Sequence, residues 1–436
     1  MLFAIIVGAI AALILLIAGL RVNTFVSFII VALLAGLALG LPLEKIPLSI
    51  QKGVGDTLGS LLMVILFGAM IGKLVAESGA AQRISDVMVG IFGERYITWA
   101  LVLTGFIVGI PLFYNVGFVL LVPLIFSIVY RIKLPAVYVG LPMLAALSTT
   151  HGLLPPHPSP AALVTQLNAD MGKTLVYGII IAVPTIIVAG PLFANTLKGI
   201  KSEPLSTFTP RIMASDQMPG FVNSMLTCLL PVIILLITTL IQLQSTASPS
   251  PVLRFLSDPG MLMFVSMCYA TFALGVFRKM RIPEIMEIYA SSIKDVLMII
   301  LIVSGAGALK QVFVDSGVSA QLADAFNSFQ LPPLLLGWMI AAIIRVAMGS
   351  ATVAGLTTAS IIAPLVLTTG TDPNLMVLAV GSGSLMFSHV NDSGFWLFKE
   401  YFNLSIKDTF RSWSTMETIV SVMGLLGVLL IQQFIS

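Results

Sequence analysis

Charge is scarce in this sequence. Asp, Glu, Lys and Arg make up 9% of its 436 residues, where a soluble domain averages about 25%. Beside 58% hydrophobic residues, so little charge excludes an ordinary soluble domain. The net charge of +3 selects no partner by itself, and none made of nucleic acid is expected. Cysteine is down to two, Cys228 and Cys268, both inside apolar segments. That suits packing rather than a disulfide framework. Histidine is down to three: His151, His157 and His389. Three histidines could in principle make a zinc site with an open position, so a membrane metalloenzyme stands as one alternative. No HExxH helix and no Gly-x-Ser-x-Gly elbow support it. A phosphate loop is missing too. GAMIGKL at Gly68–Leu74 is one residue short before its Gly-Lys pair and has Leu where Ser or Thr would hold magnesium. No cofactor and no catalytic residue are expected.

What is present is apolar sequence in runs near the ~20 residues that cross a ~30 Å hydrocarbon core. Fourteen can be marked, from about 2–20 to about 415–435. The alternation of a membrane barrel is absent, so the spans are helices. Residues 2–20 lack a basic start and are read as a retained span rather than a signal peptide.

The two halves echo each other. His151 and His389 are 238 residues apart, as are Glu77-Ser78-Gly79 and Asp315-Ser316-Gly317. LLMVIL at Leu61–Leu66 recurs as VLMIIL at Val296–Leu301. Segments 96–112 and 116–130 meet at a short uncharged joint, and so do 331–348 and 352–369 at Gly349–Thr352. Joints without the polar residues of an exposed loop predict re-entrant hairpins. Amphipathic stretches at Ala80–Phe92 and Val318–Phe329 precede them.

The expected fold is therefore an all-α polytopic membrane protein of two repeats. The first covers 1–197, with its hairpin at about 96–130 and a broken helix at about 136–168. A cytoplasmic linker covers 198–221. The second repeat covers 222–436, with its hairpin at about 331–369 and a broken helix at about 374–402. Each repeat has about five transmembrane helices, an odd number, so the copies should be inverted. With both termini outside, sixteen Lys and Arg fall on cytoplasmic segments. Only five fall outside: Lys45, Lys52, Lys173, Arg254 and Lys310. That distribution obeys the positive-inside rule.

Broken helices leave backbone N–H and C=O groups for water, protein or a ligand to satisfy. Four breaks hold the candidate site. PLFYNVG supplies Tyr114 and Asn115. STTHGLLPPHPSP supplies Ser148, Thr149, Thr150, His151 and His157. GSATVAG supplies Ser350 and Thr352, and SHVNDSG supplies Ser388, His389, Asn391, Asp392 and Ser393. Hydroxyls and amides that donate and accept suit a polyhydroxylated ligand; capping of the broken ends is the plainer role. Arg345 costs roughly 2.5–3.5 kcal/mol at bilayer depth. Its planar fork could hold a substrate carboxylate, or form a structural salt bridge, with Asp392 as one partner. His151, His157, His389 and Asp392 are the candidate carriers of a coupling proton.

HGLLPPHPSP (His151–Pro160), RVAMGSATVAG (Arg345–Gly355) and SHVNDSGFWLFKEYF (Ser388–Phe402) resemble the gluconate permease family of proton symporters. The likeness runs over essentially the whole chain. It implies a carrier of the bacterial inner membrane for gluconate or a related sugar acid, with D-serine or another small organic anion as the alternative. It implies the proton as coupling ion, sodium being the alternative. It places the site at Asn115, Thr149–His151, Ser350–Thr352 and His389–Asp392. The wider ion-transporter group moves a hairpin-bearing domain elevator-fashion and is commonly dimeric, so both features are expectations here.

Overall fold

Two helices far longer than a bilayer is thick run side by side through the molecule. α3 (Lys45–Glu77, 33 residues) and a 34-residue helix at Ile282–Asp315 each reach about 50 Å at 1.5 Å per residue. They cross closely at two glycines. A Cβ on Gly53 would sit 2.3 Å from the Gly307 carbonyl oxygen, so only glycine lets the backbones approach this far. The sequence suggests these spans begin near 58 and 295. Both helices start a dozen residues earlier, because Lys45, Lys52 and Asp56, or Glu284 and Glu287, extend beyond the apolar stretch on exposed faces.

The computed structural model describes residues 2–435 apart from 112–113, 203–212, 245–249, 318–330 and 391. Within them every regular element is a helix. Before α3 come α1 (Leu2–Ile14) and α2 (Thr24–Ala38). After it come α4 (Ala80–Phe92), α5 (Ile97–Gly109), α6 (Tyr114–Ile132), α7 (Ala136–Leu153), α8 (Pro158–Gln166) and α9 (Met171–Ile187). The second half has α10 (Phe221–Gln244), α11 (Pro251–Ser257), α12 (Pro259–Ala270) and the long α13 (Ile282–Asp315). It continues with α14 (Pro333–Met348), α15 (Ala351–Thr369), α16 (Pro373–Gly383), α17 (Ser393–Tyr401) and α18 (Thr415–Ile435). The amphipathic stretch expected at Val318–Phe329 lies outside the described residues.

Among the described residues seven helices are long and apolar enough to cross a membrane, or eight if the pair Ala80–Phe92 and Glu94–Gly109, bent by 110°, counts as one span. The chain is therefore an integral multi-pass membrane protein. The ten spans read from the sequence include helices too short for this test, such as α2 at 15 residues.

Helices end and restart at two places along the chain. α7 stops at Leu153, and α8 restarts at Pro158, a residue that fits the first turn because it lacks an N–H. α16 stops at Gly383 and α17 restarts after Asp392, whose side chain caps it by accepting from the Gly394 N–H. The two broken rods touch where they break: a Cβ on Gly381 would lie 2.4 Å from the Gly152 carbonyl oxygen. The tip between α14 and α15 turns on Gly349, with φ 74°, and on Ser350, which caps α15.

α18 shows how lipid and core divide one helix. Val422, Leu426, Leu430 and Phe434 repeat every fourth residue on its exposed face, the side a bilayer would cover. Glu417, Val420, Ser421 and Gly424 lie on the buried face. The linker is partly docked. Gln82 on α4 exchanges hydrogen bonds with the Met213 backbone, at 3.1 and 3.0 Å, and Arg83 Nε donates to the Pro219 carbonyl. Residues 213–219 are thus fastened to the first half rather than acting as a free tether.

Candidate functional site

A cavity of about 290 Å³ opens where the α3–α13 pair meets the broken helices. α3 contributes Gly72 and Lys73, α13 Ser292 and Val296, α6 Tyr114, and α7 Ser148 and His151. α14 and the tip contribute Arg345, Ser350, Ala351 and Thr352. The second break contributes Leu385 and Asp392, the turn before α18 contributes Trp413, and α18 contributes Glu417.

Arg345 is 4% exposed. Its Nη2 donates to Asp392 Oδ2, the structural salt bridge foreseen as one of its two roles. The pair leaves Arg345 Nε and Nη1 buried with no hydrogen-bond partner among the described residues. Buried guanidinium N–H groups without acceptors are costly, and these belong to a residue that lines the cavity. Asp392 is held from three sides: Ser388 Oγ donates to Oδ2 beside Arg345, and the Gly394 N–H donates to Oδ1 at 2.9 Å. Ser388 is in turn anchored by Trp413 Nε1, which donates to its hydroxyl at 2.8 Å, and by Ser414, which donates to its carbonyl.

An aromatic wall packs beside this network. Tyr114 packs against His151 and Trp413, with centroids 5.6 and 6.1 Å apart, and Trp413 stacks on Phe398 at 5.2 Å. The Tyr114 hydroxyl is buried without a hydrogen-bond partner among the described residues. His151 Nδ1 lies 3.4 Å from His157 Nε2, a contact that requires one ring to be neutral.

Seven of the sequence-predicted residues reach the cavity: Tyr114, Ser148, His151, Arg345, Ser350, Thr352 and Asp392. Thr149 and Thr150 do not. Both are fully buried, with hydroxyls donating at 2.8 Å to their own helix, to Ala145 and Leu147 carbonyls. Ser388 acts behind Asp392, and His157 behind His151. His389 turns away, its Nε2 2.8 Å from the Val346 carbonyl. Asn391 and the side chains of Asn115 and Ser393 lie outside the described residues. Lys73, Ser292, Trp413 and Glu417 were not foreseen. Glu417 had a signal: it is a lone carboxylate inside the apolar run TMETIVSVMGLL, and an ionisable residue in a span marks function by default.

The chain matches the GntP family permease profile over residues 1–435. It belongs to the GntP permease family. It is 49% identical to a high-affinity gluconate transporter of Escherichia coli K12 over 98% of both chains. It is 46% identical to an L-idonate transporter of the same organism over 98% of both, and 43% identical to a gluconate permease of Bacillus licheniformis over 98% of both. Among solved structures, the YdaH transporter of Alcanivorax borkumensis shares the fold with a TM-score of 0.67. The identity is 16%, and 93% of this chain and 96% of that one are covered. MtrF of Neisseria gonorrhoeae gives a TM-score of 0.64 at 14% identity, covering 93% of each. As a GntP permease, the protein is a transporter and not an enzyme.

Proposed function

We propose that this GntP permease imports gluconate or a closely related sugar acid across the bacterial inner membrane together with a proton. The observation that carries the reading is Arg345, buried beside the cavity with Nε and Nη1 unpaired among the described residues. The two donors lie on different edges of the planar guanidinium, so Nη1 can meet a carboxylate oxygen while Nε meets a second substrate oxygen. Ser148, Ser292, Ser350 and Thr352 supply hydroxyls that can pair with a polyol chain. The names of the gluconate and L-idonate relatives agree with that chemistry.

The transport cycle belongs to the same proposal. Each half runs through a long helix ending in acid-Ser-Gly, a helical hairpin, a broken helix and a closing helix. This order supports two repeats, and an odd number of crossings per repeat supports their inversion. The cavity lies between the α3–α13 pair and the hairpins with the broken helices. A boundary of that kind would let the second group slide against the first, elevator-fashion, with both termini outside.

Uptake into proteoliposomes tests the proposal. An inward acid gradient should concentrate gluconate, while a sodium gradient should not. D-serine and other organic anions serve as competing substrates. Equilibration without accumulation under either gradient would defeat symport. The mass of the purified protein in detergent tests the proposed homodimer.

A further inference from the structure

Two carboxyl groups line the cavity, and they differ in how they are satisfied. Asp392 accepts from Arg345, Ser388 and the Gly394 N–H. Glu417, 2% exposed, has the Ser148 hydroxyl as its hydrogen-bond partner, but its Oε2 is buried with none among the described residues. Of the two acids, the one with an oxygen lacking a donor holds its charge less firmly, so Oε2 takes a proton before Asp392 does. That proton gives the cavity a donor. The groups facing Glu417 are Tyr114 from α6, Ser148 and His151 from α7, Arg345 from α14, and Asp392 before α17, with Lys73 on the opposite wall. α9 and α16 also pack on α18. α16 has no titratable residue, and Lys173 and Tyr177 sit at the far, N-terminal end of α9.

Resting on the proton-symport reading, we infer that Glu417 is the coupling carboxyl: its Oε2 takes up the transported proton, and Arg345 then accepts the substrate carboxylate. The proton comes from outer water and returns to inner water when the anion leaves; no other bond forms or breaks. The charges explain the coupling. The charged residues lining the cavity are Lys73, Arg345, Asp392 and Glu417, so the empty site is neutral with both carboxyls ionised. A proton alone leaves one positive charge in excess, and an anion alone leaves one negative charge. Together they restore neutrality. An uncompensated charge is disfavoured in an enclosed, low-dielectric site, so only the empty and the doubly loaded states cross. Each turnover then moves one proton with one monoanion and no net charge.

In proteoliposomes the wild-type protein should accumulate gluconate under an inward acid gradient and ignore a potassium-valinomycin diffusion potential. If it ignores the acid gradient, the symport reading fails on its own. Accumulation driven by potential alone would overturn the electroneutral scheme. E417Q should lose gradient-driven accumulation. Its gluconate Kd should stop changing with pH, whereas the wild-type Kd rises about tenfold per pH unit where Glu417 is ionised in the free protein. E417Q that still follows the acid gradient overturns the assignment. A wild-type readout covers poor folding of the variant: the infrared difference spectrum on gluconate addition should gain a protonated-carboxyl band, and its absence overturns the assignment equally.

Discussion

Replacing Arg345 by lysine separates a residue that braces Asp392 from one that also grips a ligand. Lysine keeps a cation beside Asp392 but loses the planar guanidinium, and with it the two donors, Nε and Nη1, that have no acceptor among the described residues. A hydrogen bond to a charged group contributes about 1.5–3 kcal/mol. Two such bonds to substrate oxygens, partly replaced by one ammonium, leave a net loss of about 3 kcal/mol, a Kd increase on the order of 100-fold. R345Q differs in kind. It strips Asp392 of its countercharge, and breaking a buried pair from one side costs about 3–5 kcal/mol of folding stability. Gluconate titration by calorimetry, paired with thermal unfolding of the detergent-solubilised protein, resolves the two. R345K should unfold close to the wild type and bind weakly, and R345Q should unfold well below both. If R345K binds gluconate within about threefold of the wild type, Arg345 only braces Asp392 and the carboxylate site is elsewhere.

Three further outcomes follow from the geometry. G381A places a Cβ 2.4 Å from the Gly152 carbonyl and forces the broken helices apart; overpacking of about 1–3 kcal/mol should lower the unfolding temperature, and an unchanged value would contradict the close crossing. T149V removes a hydroxyl that donates to the Ala145 carbonyl and faces no cavity, so gluconate affinity should stay put; a tenfold loss would return Thr149 to the site. S215C, in the exposed linker beside Arg83, should react with an impermeant maleimide only in inside-out vesicles, and labelling of intact cells would reverse the proposed orientation.

Much of the site was legible because broken helices carry strong local chemistry. Pro155, Pro156 and Pro158 cannot extend α7, and Gly349 with Ser350 spells a helix stop followed by a cap. Ser148, His151, Arg345, Ser350, Thr352 and Asp392 were found through those signals. The same reasoning gave no sign that the Thr149 and Thr150 hydroxyls stay off the cavity wall, because a hydroxyl within a helix can turn back to the carbonyl one turn earlier, and sequence does not say which way it turns. It under-reached at Glu417, Trp413 and Ser292, which sit on uninterrupted helices where no break draws attention. Lys73 drew notice within GAMIGKL, a stretch that fails as a phosphate loop, yet α3 carries it to the cavity wall.

Apolar run length, the placement of Lys and Arg, and the recurrence of short motifs settle that this chain is helical, membrane-embedded and interrupted at particular residues. These are properties of neighbours along the chain, governed by hydration and by local backbone preferences. Which interruption faces which, whether a hydroxyl looks inward, and which of two acids is left with a bare oxygen depend on residues hundreds of positions apart. Those matters were decided only by packing, where Gly152 meets Gly381 and where Arg345 completes Asp392 but not itself.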